Sequence, residues 1–515
     1  MNHYISRCVV FVLTITTSFQ AYSQVSTFEL KDYKLTDVRF QSYTNQLSFN
    51  QSGQTDNNMF NGNLLNRTNN LQANYFGQYT LYTNSRPAQR ITSVKTEFVG
   101  YRQVYEFGDE GTRNRQYRRS YDWHTSIEVN DVHRKYLTPT LFLEAQVLAK
   151  YVFQQDFNYL KTWVPTESWK RIGTDNHLFS VGVPIKIGLG RLERVEDARQ
   201  AIYLMQELQK VGRLSDSISQ KDYLNLSAFV SKLRNKRFFD VRLQRIYQVK
   251  ALDTFLRQNS LTRETDAAYF TTTVDYWMYG GNPVRQSGRR FALAFYPMMA
   301  RENERNSEYG TDVSFVTTHK NSFQQAFVAL EYEVEKPFKQ KWQSNINAKL
   351  FIGKRVNTEL TEYVVGELED KFDLQSVQLK LNYGIGYFPT TRTSITWNTA
   401  IDLVRLQKSY ETIGSWGSVD YEMDRTKLSS NLIATYYVSP RFRIAANLRV
   451  WLIRVPSFAY YQNRGFIEPI RVPNVNVANS YFTPDKLITT PSQMYNFEQS
   501  RLNTNMYLRV NYSLF

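Results

Sequence analysis

The chain has 515 residues, a formal net charge of +16, 15% aromatic residues including 36 Tyr and 33 Phe, and a mean hydropathy of -0.50. No stretch after the amino-terminus carries the roughly 20 apolar residues a membrane-crossing helix needs, which excludes a helical membrane protein. The one cysteine, Cys8, leaves the remaining residues with no disulfide framework and no cysteine metal ligand.

Taken in chain order, residues 1-23 read as a cleavable signal peptide. Arg7 precedes the apolar run CVVFVLTI, and Ala21-Tyr22-Ser23 forms a small-residue cleavage site near Ser23. Residues 24-190 then carry period-two alternation near 91-105 and 141-152. It is clearest where Phe179, Val181, Val183, Ile185, Ile187 and Leu189 alternate with Ser180, Gly182, Pro184, Lys186 and Gly188. Such segments of about ten residues read as strands with one oily face.

Residues 191-260 switch to helical spacing and read as a three-helix insert. Ala198, Ala201, Ile202, Met205, Leu208 and Val211 form the first stripe, ending before Gly212. Ser219 and Asp222 stand at capping-box spacing ahead of Leu226, Phe229, Val230 and Leu233. A third stripe uses Phe239, Leu243, Ile246, Leu252, Phe255 and Leu256, after which the strand pattern is expected to resume near Ala267.

From 261 to 515 the alternation returns, notably in Val377-Leu379-Leu381-Tyr383-Ile385 and in Phe442-Ile444-Ala446-Leu448-Val450-Leu452. Connections alternate between short proline-bearing turns (85-90, 137-140, 335-340, 388-392, 438-441) and long polar segments (51-69, 107-120, 154-177, 355-374, 409-425, 455-499). This alternation is a signature of transmembrane barrels. The predicted fold class is an all-β transmembrane antiparallel β-barrel of about sixteen strands, within a range of 14-18, with an inserted α-helical subdomain.

The last segment, NMYLRVNYSLF, places Leu508, Val510, Tyr512 and Leu514 on one face and ends at Phe515, one step off that face. In a chain that opens with an export signal, it resembles the closing strand of bacterial outer-membrane β-barrel proteins. The resemblance implies an outer-membrane location in a Gram-negative envelope, with these five residues as the membrane insertion signal read by the barrel-assembly machinery. It identifies a class and no particular family.

With the oily sets facing lipid, the lumen receives Lys95, Lys150, Lys186, Arg290, Lys349, Lys380, Arg443, Arg449 and Arg509, together with Glu97, Glu144, Glu331, Glu333 and Asp402. These charges either leave a basic path for small polar or anionic solutes or pair into salt-bridge networks that fill it. The expected outer loops hold Arg113, Arg115, Arg118 and Arg119, suited to lipopolysaccharide phosphates, and the aromatic residues Trp163, Trp169 and Trp416. Those rings either stack on a ligand or anchor the barrel at headgroup level.

A positive chain usually suggests nucleic acid, but an exported barrel does not meet it, so outer-membrane lipid and lipopolysaccharide are the expected anionic partners. No HExxH, GxSxG or P-loop spacing occurs, so no enzyme, cofactor or metal is expected. Three functions remain: a pore or transport component for small solutes or envelope polymers, a non-conducting anchor whose periplasmic helical insert docks a protein or polymer, or a surface binding protein using aromatic loops.

Overall fold

The computed structural model describes residues 37-58, 64-109, 115-163, 167-215, 218-234, 241-279, 285-311, 314-363, 366-412, 419-439, 442-454, 459-462 and 501-512, with Leu30 and Tyr33. The signal segment 1-23, Arg113, Trp416, Leu514 and Phe515 lie outside the described residues. So do the side chains of Arg115, Arg443, Leu508, Arg509, Val510 and Tyr512.

The described chain is mostly antiparallel β-sheet. Its strands are β1 (Val38–Asn58), β2 (Leu64–Asn84), β3 (Ala88–Asp109), β4 (Arg115–Tyr136), β5 (Leu141–Thr162), β6 (Ser168–Gly182) and β7 (Ile185–Arg194). After a helical unit come β8 (Gln286–Gly310), β9 (Ser314–Phe338), β10 (Trp342–Tyr363), β11 (Gly366–Tyr387), β12 (Thr393–Thr412), β13 (Val419–Ser439), β14 (Phe442–Arg454), β15 (Ala459–Gln462) and β16 (Arg501–Tyr512). Strands consecutive along the sheet pair antiparallel, as expected for hairpins, with β6 and β7 both lying between β5 and β8 and with β15 on β13.

Sixteen strand segments occupy fourteen positions across the sheet, because β6 and β7 share one position and β14 and β15 share another. The β6–β7 break falls at Pro184, which has no N–H to give the ladder. The register with β5 and β8 continues unshifted across it, and Gln146 N–H still donates to the Pro184 carbonyl at 2.8 Å. Among the described residues, sixteen strand segments thus fill fourteen positions, within the expected range of 14-18.

Most of the long polar segments expected to be loops are strand instead. β1 and β2 run through most of 51-69, β5 and β6 through most of 154-177, and β10 and β11 through nearly all of 355-374. Polar residues satisfy a ladder as well as apolar ones when both faces meet water. Arg115, Arg118, Arg119 and Trp169 accordingly lie on β4 and β6 and not in loops.

Burial across the sheet is inverted relative to a water-soluble protein. Leu143, Ile187, Leu293, Leu330, Leu350, Leu379 and Leu403 stand directly opposite one another on β5, β7, β8, β9, β10, β11 and β12, forming one aliphatic row. Ile187 is 48% exposed and Leu293 47%, whereas their neighbour Lys186 is buried. A flanking row holds Ile185, Phe295, Val328, Ile352 and Val377, exposed from 44% to 55%. Water-soluble monomers do not carry contiguous apolar surface on this scale.

The helical unit between β7 and β8 contains α1 (Glu196–Lys210), α2 (Gln220–Arg234), α3 (Val241–Gln258) and α4 (Ala267–Tyr279). Four helices stand where three were expected, and the sheet resumes at Gln286 instead of near Ala267. Residues 267-279 are aromatic and β-branched, a composition that favours strand. Tertiary contacts override it: Asp266 accepts the Tyr269 N–H at 3.0 Å, and Tyr269, Thr273 and Trp277, four residues apart, turn a buried face to the other helices.

The predicted caps form. Ser219 and Asp222 exchange backbone N–H to side-chain bonds of 2.8 and 3.3 Å, and Gly212 takes a φ of 70° just after α1. Leu226, Val230, Leu233, Leu252 and Leu256 are buried, but Leu243 and Ile246 on α3 are exposed.

α1 is buried through most of its length, with Ala198, Ala201, Leu204, Met205 and Leu208 at 0% exposure and only its last turn exposed. Replacing Leu204 with Ala removes a buried side chain from this helix and is expected to cost about 3 kcal/mol. Hydrogen exchange should show faster opening of α1 and α2 amides while the β8–β11 amides stay protected. Uniform loss of protection would show that helices and sheet unfold as one unit.

Candidate functional site: a buried charge network beside a helical cap

The sheet face opposite the aliphatic rows is polar, and cations and carboxylates face one another at several places along its ladder. Lys95, Glu128 and Lys150 stand opposite one another on β3, β4 and β5. Nearer the short turns, Arg134, Glu144 and Lys186 do the same on β4, β5 and β7, and Glu331, Lys349, Lys380 and Asp402 continue across β9 to β12. Lys95, Lys150, Lys186, Arg290, Lys349, Lys380 and Arg449 all fall on this face.

The charges near the short turns converge. Lys186 Nζ lies 3.2 Å from Glu144 and 3.0 Å from Glu331, and Arg134 Nε donates to Glu144 at 2.8 Å. Arg290 reaches Glu333 at 2.6 Å, Lys349 lies 3.8 Å from Glu331, and Tyr296 donates to Glu331. Arg134 also donates to Gln89 at 2.8 Å, and Gln89 accepts the Tyr136 hydroxyl proton at 2.9 Å.

Small residues make room for these long side chains. Ala292, Ala294 and Ala329 are 1-2% exposed. At Gly188 a Cβ would lie 2.5 Å from the Phe142 ring, so that ring packs directly on backbone beneath Arg134. A cavity of about 130 Å³ remains, lined by Lys186, Arg290, Glu331, Glu333, Asn347 and Lys349 among others. Four cations gather here against three carboxylates, so the network is mildly basic.

The helical unit closes over the same end of the sheet. Tyr203 on α1 donates to the Phe388 carbonyl at 2.8 Å, and Asp275 on α4 pairs with Arg392 in the β11–β12 turn. Arg285 donates to the Gln340 and Trp342 carbonyls at 2.6 and 2.5 Å and to Gln343 at 3.0 Å, beside the β9–β10 turn. On the other flank Arg194 lies 4.9 Å over the Tyr82 ring, and Tyr82 joins the helical core with Val38 and Phe40. Burial pushes the Arg199 and Arg285 guanidinium groups below their usual range; the Phe388 ring lies beside both, and Arg285 also meets the Gln340 and Trp342 carbonyls.

These contacts require curvature. β2 and β11 are separated by eight steps of sheet order, about 38 Å if the sheet lay flat at 4.8 Å per step. Arg194, against Tyr82, and Arg199, against Phe388, are only five residues apart in the chain. This short segment, from the end of β7 into α1, reaches both only because the sheet curls around it.

The outer-loop candidates separate. Arg118 lies on the polar face, donating to Asn158 at 3.4 Å, while Arg119 lies on the opposite face over the Tyr121 ring at 4.7 Å. Trp169 shares the face of Arg119, and Trp163 stacks with Lys161 at 4.8 Å just past β5. Sequence reading missed Arg134, Tyr296 and Arg285. Arg134 was recoverable in principle, since it shares the alternation phase of Glu128 on β4, but its partner depended on the register across the β4–β5 turn. Among the described residues no group of three or more His, Cys, Asp and Glu gathers as a metal site.

No protein-family model matches the chain, and no curated protein matches it. The site is therefore interpreted from its own geometry.

Replacing Glu144 with Gln leaves Arg134 and Lys186 buried without their shared counter-charge. A loss of about 3-5 kcal/mol is expected, read from the urea midpoint of β circular dichroism. A change under 1 kcal/mol would mean that water already screens the network.

Proposed function

We propose that this protein is an outer-membrane β-barrel whose polar inner face forms a conduit for small polar or anionic solutes, with the helical unit covering its short-turn mouth. The observation that carries this reading is the run of aliphatic residues directly opposite one another across seven strands, exposed on five of them and half-buried at Leu350 and Leu379, with charges buried on the other face. Only a solvent that welcomes hydrocarbon makes that inversion stable.

Three further features support it. An even number of positions puts both sheet edges, β1 and β16, in the phase that lets an antiparallel barrel close on itself. The curl imposed by α1 brings distant strands around one end. The strands are 20-25 residues long from β8 to β12, about twice what a bilayer crossing needs, so the half nearest the short turns would cross the membrane and the polar half would project beyond it. In the proposed barrel β1 and β16 pair with each other, which hides the two end edges of the described sheet path.

In this reading the short turns and the helical unit are periplasmic, and the projecting strands are outside the cell. Export through the signal peptide and insertion by the barrel-assembly machinery belong to the same proposal. The role is passage or anchoring and involves no catalysis. A second reading, a non-conducting anchor whose helical unit docks a periplasmic partner, is favoured by the buried network and by the cap tied to the turns through Arg285 and Arg392.

Planar-bilayer recording separates the two. The intact protein is expected to show small conductance with anion preference, rising several-fold in an Arg285→Ala, Arg392→Ala double variant that loosens the cap. Silence in both proteins, with insertion confirmed by vesicle flotation, would discard the conduit and leave the anchor.

A further inference from the structure

Above the aliphatic rows, the exposed face of β3 to β6 carries arginines and aromatic rings in a fixed lattice. Further along the same face, beyond the outward Val147, Ala149 and Tyr151 of β5, comes an aromatic band in which Phe98 and Trp123 stand 5.6 Å apart, centroid to centroid. One step further, Arg102, Tyr121 and Phe157 lie directly opposite one another. The next row is Arg119, Tyr159, Arg171 and Tyr309. Arg119 lies 4.7 Å over Tyr121, Arg102 5.9 Å over the same ring, and Arg171 4.8 Å over Phe157. The rings hold the guanidinium groups flat and limit the rotamer freedom that binding would otherwise remove.

The charge of this face is unbalanced. Arg67 stands opposite Glu106, Asp175 opposite Arg305, and Lys161 pairs with Glu167. Among the described residues of this face, Arg102, Arg119 and Arg171 have no acidic residue opposite them in the ladder. Arg102 and Arg171 are exposed, and the shielded Nε of Arg119 has no hydrogen-bond partner among the described residues. Arg119 and Arg171 are two strand steps apart, about 10 Å between Cα atoms, so both reach one bound headgroup.

We propose that this patch binds the phosphorylated sugar headgroup of an anionic glycolipid in the membrane leaflet farther from the helical unit. The proposal rests on the membrane reading above, which puts the patch at headgroup height on the lipid-facing side. Guanidinium forks match phosphate oxygens bidentately, and the Tyr121, Phe157 and Tyr159 rings offer apolar faces to a sugar. A protein partner is less suited, because the patch continues into the lipid-facing rows without a break.

The test uses the full-length protein in detergent, mixed in turn with lipid A, with dephosphorylated lipid A and with phosphatidylglycerol, and counts retained lipid by native mass spectrometry. Lipid A should be retained about tenfold more tightly than either comparison lipid. The Arg102→Gln, Arg119→Gln, Arg171→Gln triple variant should lose that preference, whereas Arg118→Gln, on the polar face, should keep it. Equal retention of lipid A and its dephosphorylated form, or an unchanged preference in the triple variant, overturns the site. Equal retention of phosphatidylglycerol reduces it to general anion attraction and overturns the glycolipid assignment. If the triple variant does not fold, the exposed Arg171→Gln change alone should weaken retention several-fold, and no weakening overturns the site. Flotation of the wild-type protein with phosphatidylcholine vesicles is read separately, and its failure would strike the membrane reading itself.

Discussion

A β-strand sends successive side chains to opposite faces, and the proposed membrane barrel rests on that separation. Aliphatic side chains occupy the exposed face row by row, while Arg134, Glu144, Lys186 and Glu331 are buried on the other. Neither face is stable without the other. The aliphatic rows are favoured where hydrocarbon replaces water, and the cost of burying the charges is offset by ion pairs between strands, such as Arg134 with Glu144 and Lys186 with Glu144 and Glu331. A one-residue slip of any strand would exchange the two sets, so the same alternation that demands an apolar surrounding also fixes the register.

The helical unit adds a second constraint. Its core incorporates Tyr82 from one flank of the sheet while Tyr203 bonds the turn after β11, so helix packing and sheet curvature are coupled. The glycines at the junction show how closely the parts approach: at Gly288 (φ 130°) a Cβ would stand 2.1 Å from the Arg191 carbonyl oxygen. In the proposed conduit, movement of the cap therefore changes the shape of the mouth, and the mildly basic network beside it is the last polar surface a solute meets.

Much of this was legible in the sequence because period two survives any tertiary context that buries one face. The run Phe179 to Leu189 announced its phase despite Pro184, and Lys186, Lys349 and Lys380 lie on the polar face that phase assigned. The capping box at Ser219 and Asp222 was legible for a similar reason, since a cap is a local geometry. What escaped was non-local. Residues 267-279 have a strand-like composition and become helix through the Asp266 cap and a packed Tyr269–Thr273–Trp277 face. The polar strand extensions looked like loops because an alternation of two polar faces leaves no hydropathy signal. The convergence of Arg134, Glu144 and Lys186 needed a register across three strands that no single segment encodes.

The account depends most directly on which face of β9 meets hydrocarbon. Because Cys8 is the only cysteine in the sequence, spin labels can be placed one at a time at positions 327-333 of an otherwise cysteine-free protein in lipid vesicles. The account predicts a strict two-residue alternation, with labels at 328, 330 and 332 accessible to dissolved oxygen and those at 327, 329, 331 and 333 protected from it. Uniform accessibility, or an alternation in the opposite phase, would contradict it.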